Sequence, residues 1–258
     1  MSDFDVKIIN AKIVDGQNKK YIGSIGIKDG RIIETGKLPG DAEREIDATG
    51  LYALPGFVDP HSHGDWGFAW YPNCESAVMQ GCTTVAAGQC GLSPAPLREY
   101  VQAPRVLWDE VYEKYPYLYH GKSLHKLEDI NELHEAKYGW KIEYKTMGDY
   151  FDLLRKQGIG INYVPLVGHG TIKYCVMGED YKREAKPEEV SEMKELIHQA
   201  MAEGCRGFSI GLDYDPDVFA SKEEVDECVA ILREYDGIYV PHWRRTGRRR
   251  RSEERRVG

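Results

Sequence analysis

The chain has 258 residues, 41% of them apolar and 29% charged, the makeup of an ordinary soluble globular protein with room for one large domain or two modest ones. Its net charge of −8 is uneven: residues 244–258 hold eight Arg and two Glu, so residues 1–243 carry −14, an acidic body that argues against nucleic acid as a partner. No apolar run nears the roughly 20 residues of a membrane span, the opening MSDFDVKIIN lacks a secretory signal, and six scattered cysteines without C-x-x-C do not make a disulfide framework, so a cytoplasmic protein with no membrane partner is expected.

Residues 4–54 read as short β-strands. VKIIN, AKIVD, GSIGI and RIIETG are β-branched runs with partial alternation, and Asp29-Gly30 lies between two of them. Asp-Gly is a hairpin signal because both turn positions need φ > 0. A small all-β unit is therefore expected over residues 1–55.

From residue 56 strands and helices alternate. GFVDPH (56–61) reads as a strand, CESAVMQG (74–81) as a short helix and TTVAAGQC (83–90) as a second strand. Residues 99–145 break the rhythm with seven Tyr and two Trp, too long for an ordinary connection; they read either as an excursion packed outside or as a lid or oligomer contact. Over 146–158 the periodicity predicts a helix with Thr146 as N-cap and Gly158 as stop. INYVPLVGH (161–169) is a third strand. A helix follows over 187–204, opening with Pro and closing on Gly, and RGFSIGLDY (206–214) is a fourth strand. Residues 221–237 predict a helix with a capping box from Ser221 to Glu224, and IYVPHW (238–243) is a fifth strand. Strand–helix alternation means a parallel sheet, open or part of a barrel. With no G-x-G-x-x-G after the first strand and no P-loop, nucleotide-binding open sheets lose support.

The chemistry gathers at strand ends. In a strand, alternate side chains share a face, so the H-x-H of His61 and His63 puts two imidazoles on one side. The second strand ends in Cys90, the third in His169, the fourth in Asp213 and Tyr214, the fifth in His242. In a parallel barrel such tips ring one opening, and imidazoles with a thiolate are a donor set for zinc. His120, His125, His134 and His198 stand apart from this pattern and read as structural residues.

Taken together, LPGFVDPHSHGD, QGCTTVAAGQCGLSPAP, VGHGTIKYCVMG, GFSIGLDYDP and YVPHWR resemble the amidohydrolase superfamily, and within it the D-aminoacylase branch of N-acyl-D-amino-acid deacylases. The resemblance runs from about residue 5 to about residue 247. It implies a (β/α)8 TIM-type barrel preceded by part of a β-sandwich, one or two zinc ions, and hydrolysis of an amide in a small N-acyl amino acid. Many amidohydrolases bridge two metals with a lysine at the fourth strand, which GFSIGLDYDP lacks; in the D-aminoacylase branch a cysteine at the second strand serves instead. The implied metal ligands are His61, His63, Cys90 and His242. Tyr214 lies where such enzymes place a substrate-contacting tyrosine, and Arg244, in H-x-R, and His169 complete the expected substrate-binding residues. Gln89 departs from the Asn that more commonly precedes the cysteine. Zinc lowers the pKa of bound water to around 7 and polarises a carbonyl, and the leaving amine then needs a general acid.

In the family that acid is an aspartate at the eighth strand, accompanied by a histidine at the sixth. The chain is accordingly expected to be an incomplete, inactive barrel that stops after about five strands, with the half-barrel over residues 56–247. Residues 248–258, an arginine run without apolar face or period, are expected to be a non-native tail. Two alternatives stand beside this reading: a cyclic amidohydrolase of dihydroorotase or hydantoinase type, against which the absent lysine counts, and a non-catalytic metal-binding fragment.

Overall fold

The computed structural model describes residues 2–104, 107 and 124–243. Arg244, the arginine run at 248–258 and the middle of the aromatic segment, with His120, lie outside the described residues. The chain divides into two compact units, residues 1–57 and 58–258.

In the first unit the β-branched runs become β1 (Phe4–Val14), β2 (Lys20–Lys28), β3 (Arg31–Gly36), β4 (Ala42–Asp47) and the two-residue β5 (Tyr52–Ala53). They make one sheet in the order β3-β2-β1-β4, with β5 also against β1. β2 and β3 run antiparallel around Asp29 and Gly30, whose φ angles are 50° and 69°, the left-handed pair a tight two-residue turn demands. β4 and β5 run parallel to β1. Ala11, Ile13, Ile25 and Ala48 form a small core, while Ile22, Ile32 and Ile33 remain exposed.

β6 (Phe57–Ser62) leads into the second unit, followed by the one-turn α1 (Glu75–Val78) and β7 (Cys82–Ala87). In the aromatic segment, β8 (Tyr100–Gln102) pairs antiparallel with β9 (Leu124–Lys126), and α2 (Leu127–Tyr138) follows directly. The remainder alternates as expected: α3 (Met147–Gln157), β10 (Asn162–Gly168), α4 (His169–Met177), α5 (Pro187–Glu203), β11 (Gly207–Gly211), α6 (Lys222–Ala230) and β12 (Ile238–His242). The sheet order is β12-β11-β10-β7-β6, with β7, β10, β11 and β12 paired in parallel. The fold is thus α/β, and this sheet curls into a half-barrel. Strand residues Val167, Phe208 and Ile210 pack with Tyr150 and Leu154 of α3, Ile172 of α4 and Met193 and Ile197 of α5 in one continuous core.

The helix boundaries follow local chemistry. Thr146 Oγ1 accepts the Asp149 N–H at 3.1 Å while Asp149 returns a carboxylate oxygen to the Thr146 N–H, a reciprocal cap that starts α3. Two local readings need correction. β10 ends at Gly168, and α4, which the sequence does not announce because no side chain caps it, begins at His169 itself. At α6 the Ser221 hydroxyl does accept the Glu224 N–H at 3.1 Å, but the Glu224 carboxylate turns inward to Lys173 instead of returning to Ser221. Paired burial of its charge takes precedence over the surface cap.

Candidate metal centre

β6 delivers His61 and His63 two residues apart at its C-terminal end, with ring centroids 5.6 Å apart. The loop after β7 delivers Cys90, whose Sγ lies 3.4 Å from His61 Nε2 and 3.5 Å from His242 Nδ1 at the end of β12. One donor atom from each of His61, His63 and Cys90 lies within 4.8 Å of the others; His242 joins through the thiol and is not in that closest trio. A tetrahedron with metal–donor bonds of about 2.0–2.3 Å has edges of about 3.3–3.7 Å. The two thiol–imidazole distances match such an edge, and the four residues are of the kinds zinc takes. His61 and His242 are exposed, whereas Cys90 is buried: the thiol forms the floor and the imidazoles the rim.

Cys90 is held in an unusual backbone conformation. Its φ is 58°, in the left-handed region that costs a non-glycine residue on the order of 1 kcal/mol or more. Surrounding hydrogen bonds fix it there. Ser209 Oγ accepts the Gly91 N–H at 2.9 Å and donates to the Gly88 carbonyl. The Thr171 N–H donates to the Gly91 carbonyl at 3.0 Å, and the Tyr214 hydroxyl donates to the Cys90 carbonyl at 2.8 Å. Gln89 is fully buried, its amide donating to the carbonyls of Pro60 (3.1 Å) and Ala86 (3.3 Å), so it ties the loop to the strand that carries His61. Gly91 has φ of 77°, and a Cβ there would fall 2.2 Å from Asp217 Oδ2. Of these braces the sequence flagged only Gln89 and Tyr214, and neither in this role.

The remaining expected residues fall in different places. Tyr214 is half-buried, its ring edge-on to His242 at 5.1 Å between centroids. His169 is not brought to the opening. As the first residue of α4 it turns into the interior, fully buried, with Nδ1 2.8 Å from Asp217 Oδ1 and Nε2 3.2 Å from Glu224 Oε1. Lys173, one helical turn on, reaches the same Glu224 oxygen at 2.7 Å. Burial opposes a charge on His169, but the Asp217 and Glu224 carboxylates outweigh it and hold the imidazole pKa well above its ordinary value. The substrate-contact expectation for His169 is therefore replaced by a role inside this buried ion network.

His134 is fully buried and sits between two tryptophans: Trp70 Nε1 donates to its Nε2 at 2.7 Å, and its Nδ1 lies 2.5 Å from the Trp140 carbonyl. Burial lowers its pKa, which keeps the ring neutral. Burial also pushes the thiol of Cys175 up to about 12 and that of Cys205 higher still, so neither offers a thiolate at neutral pH. A cavity of about 670 Å³ beside α2, lined by Arg98, Lys126, Asn131 and Lys145 among others, lies away from the histidine–cysteine group. No helix among the described residues is long and apolar enough to cross a membrane.

Residues 44–122 match the amidohydrolase family. The D-aminoacylase of Alcaligenes xylosoxydans xylosoxydans is 32% identical over 247 residues, which cover 95% of this chain and 45% of that protein. A solved D-aminoacylase, studied for its binuclear metal centre, superposes with a TM-score of 0.76 at 30% identity, over 95% of this chain and 46% of its own. The N-acyl-D-glutamate deacylase of Bordetella bronchiseptica, solved with zinc and a phosphonate that mimics the tetrahedral intermediate, gives 0.75 at 28% identity, over 94% and 45%. Along nearly its whole length the chain is homologous to D-aminoacylases, which are amidohydrolases. It spans less than half the length of these relatives.

Proposed function

We propose that the chain carries the zinc-binding part of an N-acyl-D-amino-acid deacylase, with His61, His63, Cys90 and His242 as metal ligands. The observation that carries this reading is the convergence of His61 and His63 from β6 and Cys90 from the β7 loop on one point, with His242 of β12 against the thiol. Bound there, zinc would supply Lewis acidity toward the amide carbonyl and toward water. The chain's own residues do the rest of the positioning. The buried thiol anchors the site from below, and the β6 and β12 histidines, held by their strands, leave the outer side open for a small acylated amino acid. Relatives with N-acyl-D-amino acids as substrates at about 30% identity support the same choice of substrate.

The proton for the departing amine is assigned by the family resemblance to an aspartate at the eighth strand. Such proton transfer contributes about 10²–10⁴-fold. The test is release of free amino acid from N-acetyl-D- and N-acetyl-L-amino acids, with and without chelator, by the product of the longest reading frame containing these residues. Zinc-dependent turnover confined to the D-substrates is expected. A zinc-loaded product inert toward every N-acyl-D-amino acid would overturn the assignment.

A further inference from the structure

We infer that Asp217 is a positioning residue for the Cys90 ligand, its carboxylate holding the backbone that carries the thiol; this rests on the zinc–thiolate reading above. The side chain stands where three parts of the chain meet. Its Oδ2 accepts the N–H of Gly211, the last residue of β11, at 2.7 Å. Its Oδ1 lies 2.8 Å from Nδ1 of His169, the first residue of α4. Gly91, next to Cys90, lies so close to Oδ2 that a Cβ there would fall 2.2 Å from it. Asp217 is 1% exposed, so these contacts set where the carboxylate sits.

Gly91 cannot draw back from that oxygen. Its N–H is bound to Ser209 Oγ and its carbonyl to the Thr171 N–H. On the far side Gly168 presses on the same peptide, where a Cβ would fall 2.4 Å from the Gly91 carbonyl carbon and oxygen. Ser93 closes the clamp: its Oγ accepts the Gly168 N–H at 3.0 Å, and its own N–H donates to Thr171 Oγ1 at 2.9 Å. The segment after Cys90 is thus gripped between the end of β11 and the start of α4, and Asp217 joins both to it. Cys90 needs this support because its φ of 58° is not one that an L residue holds unaided. With the backbone fixed, the direction of the thiol is fixed too, and Sγ stays 3.5 Å from His242 Nδ1.

The buried network therefore has two unlike ends. Asp217 touches the Cys90 loop, whereas Lys173, at the other end, reaches Glu224 at 2.7 Å. The two ends part in experiment. A positioning residue changes the metal site when it is altered, whereas a residue that only supports the fold changes stability and leaves the site of the folded chain as it was.

The measurement is cobalt(II) titration of the 258-residue chain, followed through the thiolate-to-cobalt absorption band, with Cys90→Ser as the control that identifies the band. Asp217→Asn keeps the shape of the side chain and turns the charged contact with Gly211 into a neutral one. For it we expect a band of altered position or intensity and a cobalt affinity about fivefold weaker, the size of the difference between a charged and a neutral hydrogen bond. Lys173→Met should lower the melting temperature, while its folded fraction keeps the wild-type band and affinity. Asp217→Ser, which withdraws the carboxylate from Gly91 altogether, serves in place of the asparagine variant should that one fail to fold, with a change in the same direction. An Asp217 variant with wild-type band and affinity, or a Lys173→Met chain with the same altered band, overturns the positioning role while leaving the metal site standing. Wild-type protein with no band that depends on Cys90 overturns the zinc–thiolate reading itself.

Discussion

Two groups of histidines and acidic or sulfur partners lie in the same half-barrel and have opposite fates. At the strand ends, His61, His63 and His242 surround Cys90 with the imidazoles half-buried or exposed. A short way along the chain, His169, Asp217, Lys173 and Glu224 are all at most 1% exposed and satisfy one another in pairs. The residue types are similar; the difference is whether the protein itself supplies the counter-charge. Where it does, the charges are compensated inside the fold. Where donor atoms converge without a protein cation among them, the arrangement suits a metal.

Breaking the buried network should have the largest effect. Lys173→Met leaves Glu224 buried with less compensation, and removing one partner of a buried ion pair costs about 3–5 kcal/mol. Urea unfolding should register that loss; a change below about 1 kcal/mol would mean that water reaches the network in solution. A smaller and more telling effect concerns pH. The folded pKa of His169 lies above its unfolded value, so its stabilising contribution is complete below the ordinary histidine range, about 6.5, and disappears as pH rises through the folded value. His169→Gln should therefore cost most stability at pH 6 and progressively less on the alkaline side. An equal deficit at every pH would mean that the ring is neutral in the folded protein.

Much of this contrast was legible from residues alone, and the limits have physical causes. H-x-H at the end of an apolar strand carries its own geometry, because strand alternation places both rings on one side whatever the surroundings. The Thr146 cap and the Asp29-Gly30 turn are equally local, and both appear as read. His169 was indistinguishable in pattern from the strand-end ligands. Its fate depends on α4 starting one residue after Gly168 and on Asp217 and Glu224, 48 and 55 positions downstream in sequence. Ser209 and Tyr214 brace Cys90 from more than 100 residues away, and no local period reports such a contact. Within the aromatic segment the sequence marked an interruption of the barrel rhythm, while the short β8–β9 pairing was invisible to it, three-residue strands being too brief to show alternation.

A local signal makes the smallest of these predictions. Thr146→Ala removes the hydroxyl that accepts the Asp149 N–H and should lower stability by about 1 kcal/mol, read as a modest fall in the urea midpoint. Metal content should not change, because α3 contributes none of the proposed ligands.

The central claim, that the strand-end group holds zinc through Cys90 while the buried group serves the fold, is tested most directly by elemental analysis. Wild-type chain, Cys90→Ala and Lys173→Met are loaded with zinc, dialysed and measured for zinc per folded chain. We predict that the wild type retains zinc, that Cys90→Ala loses most of it while its metal-free stability stays within about 1 kcal/mol of wild type, and that the folded fraction of Lys173→Met retains zinc despite its lower stability. Equal zinc in the wild-type and Cys90→Ala chains would contradict the account.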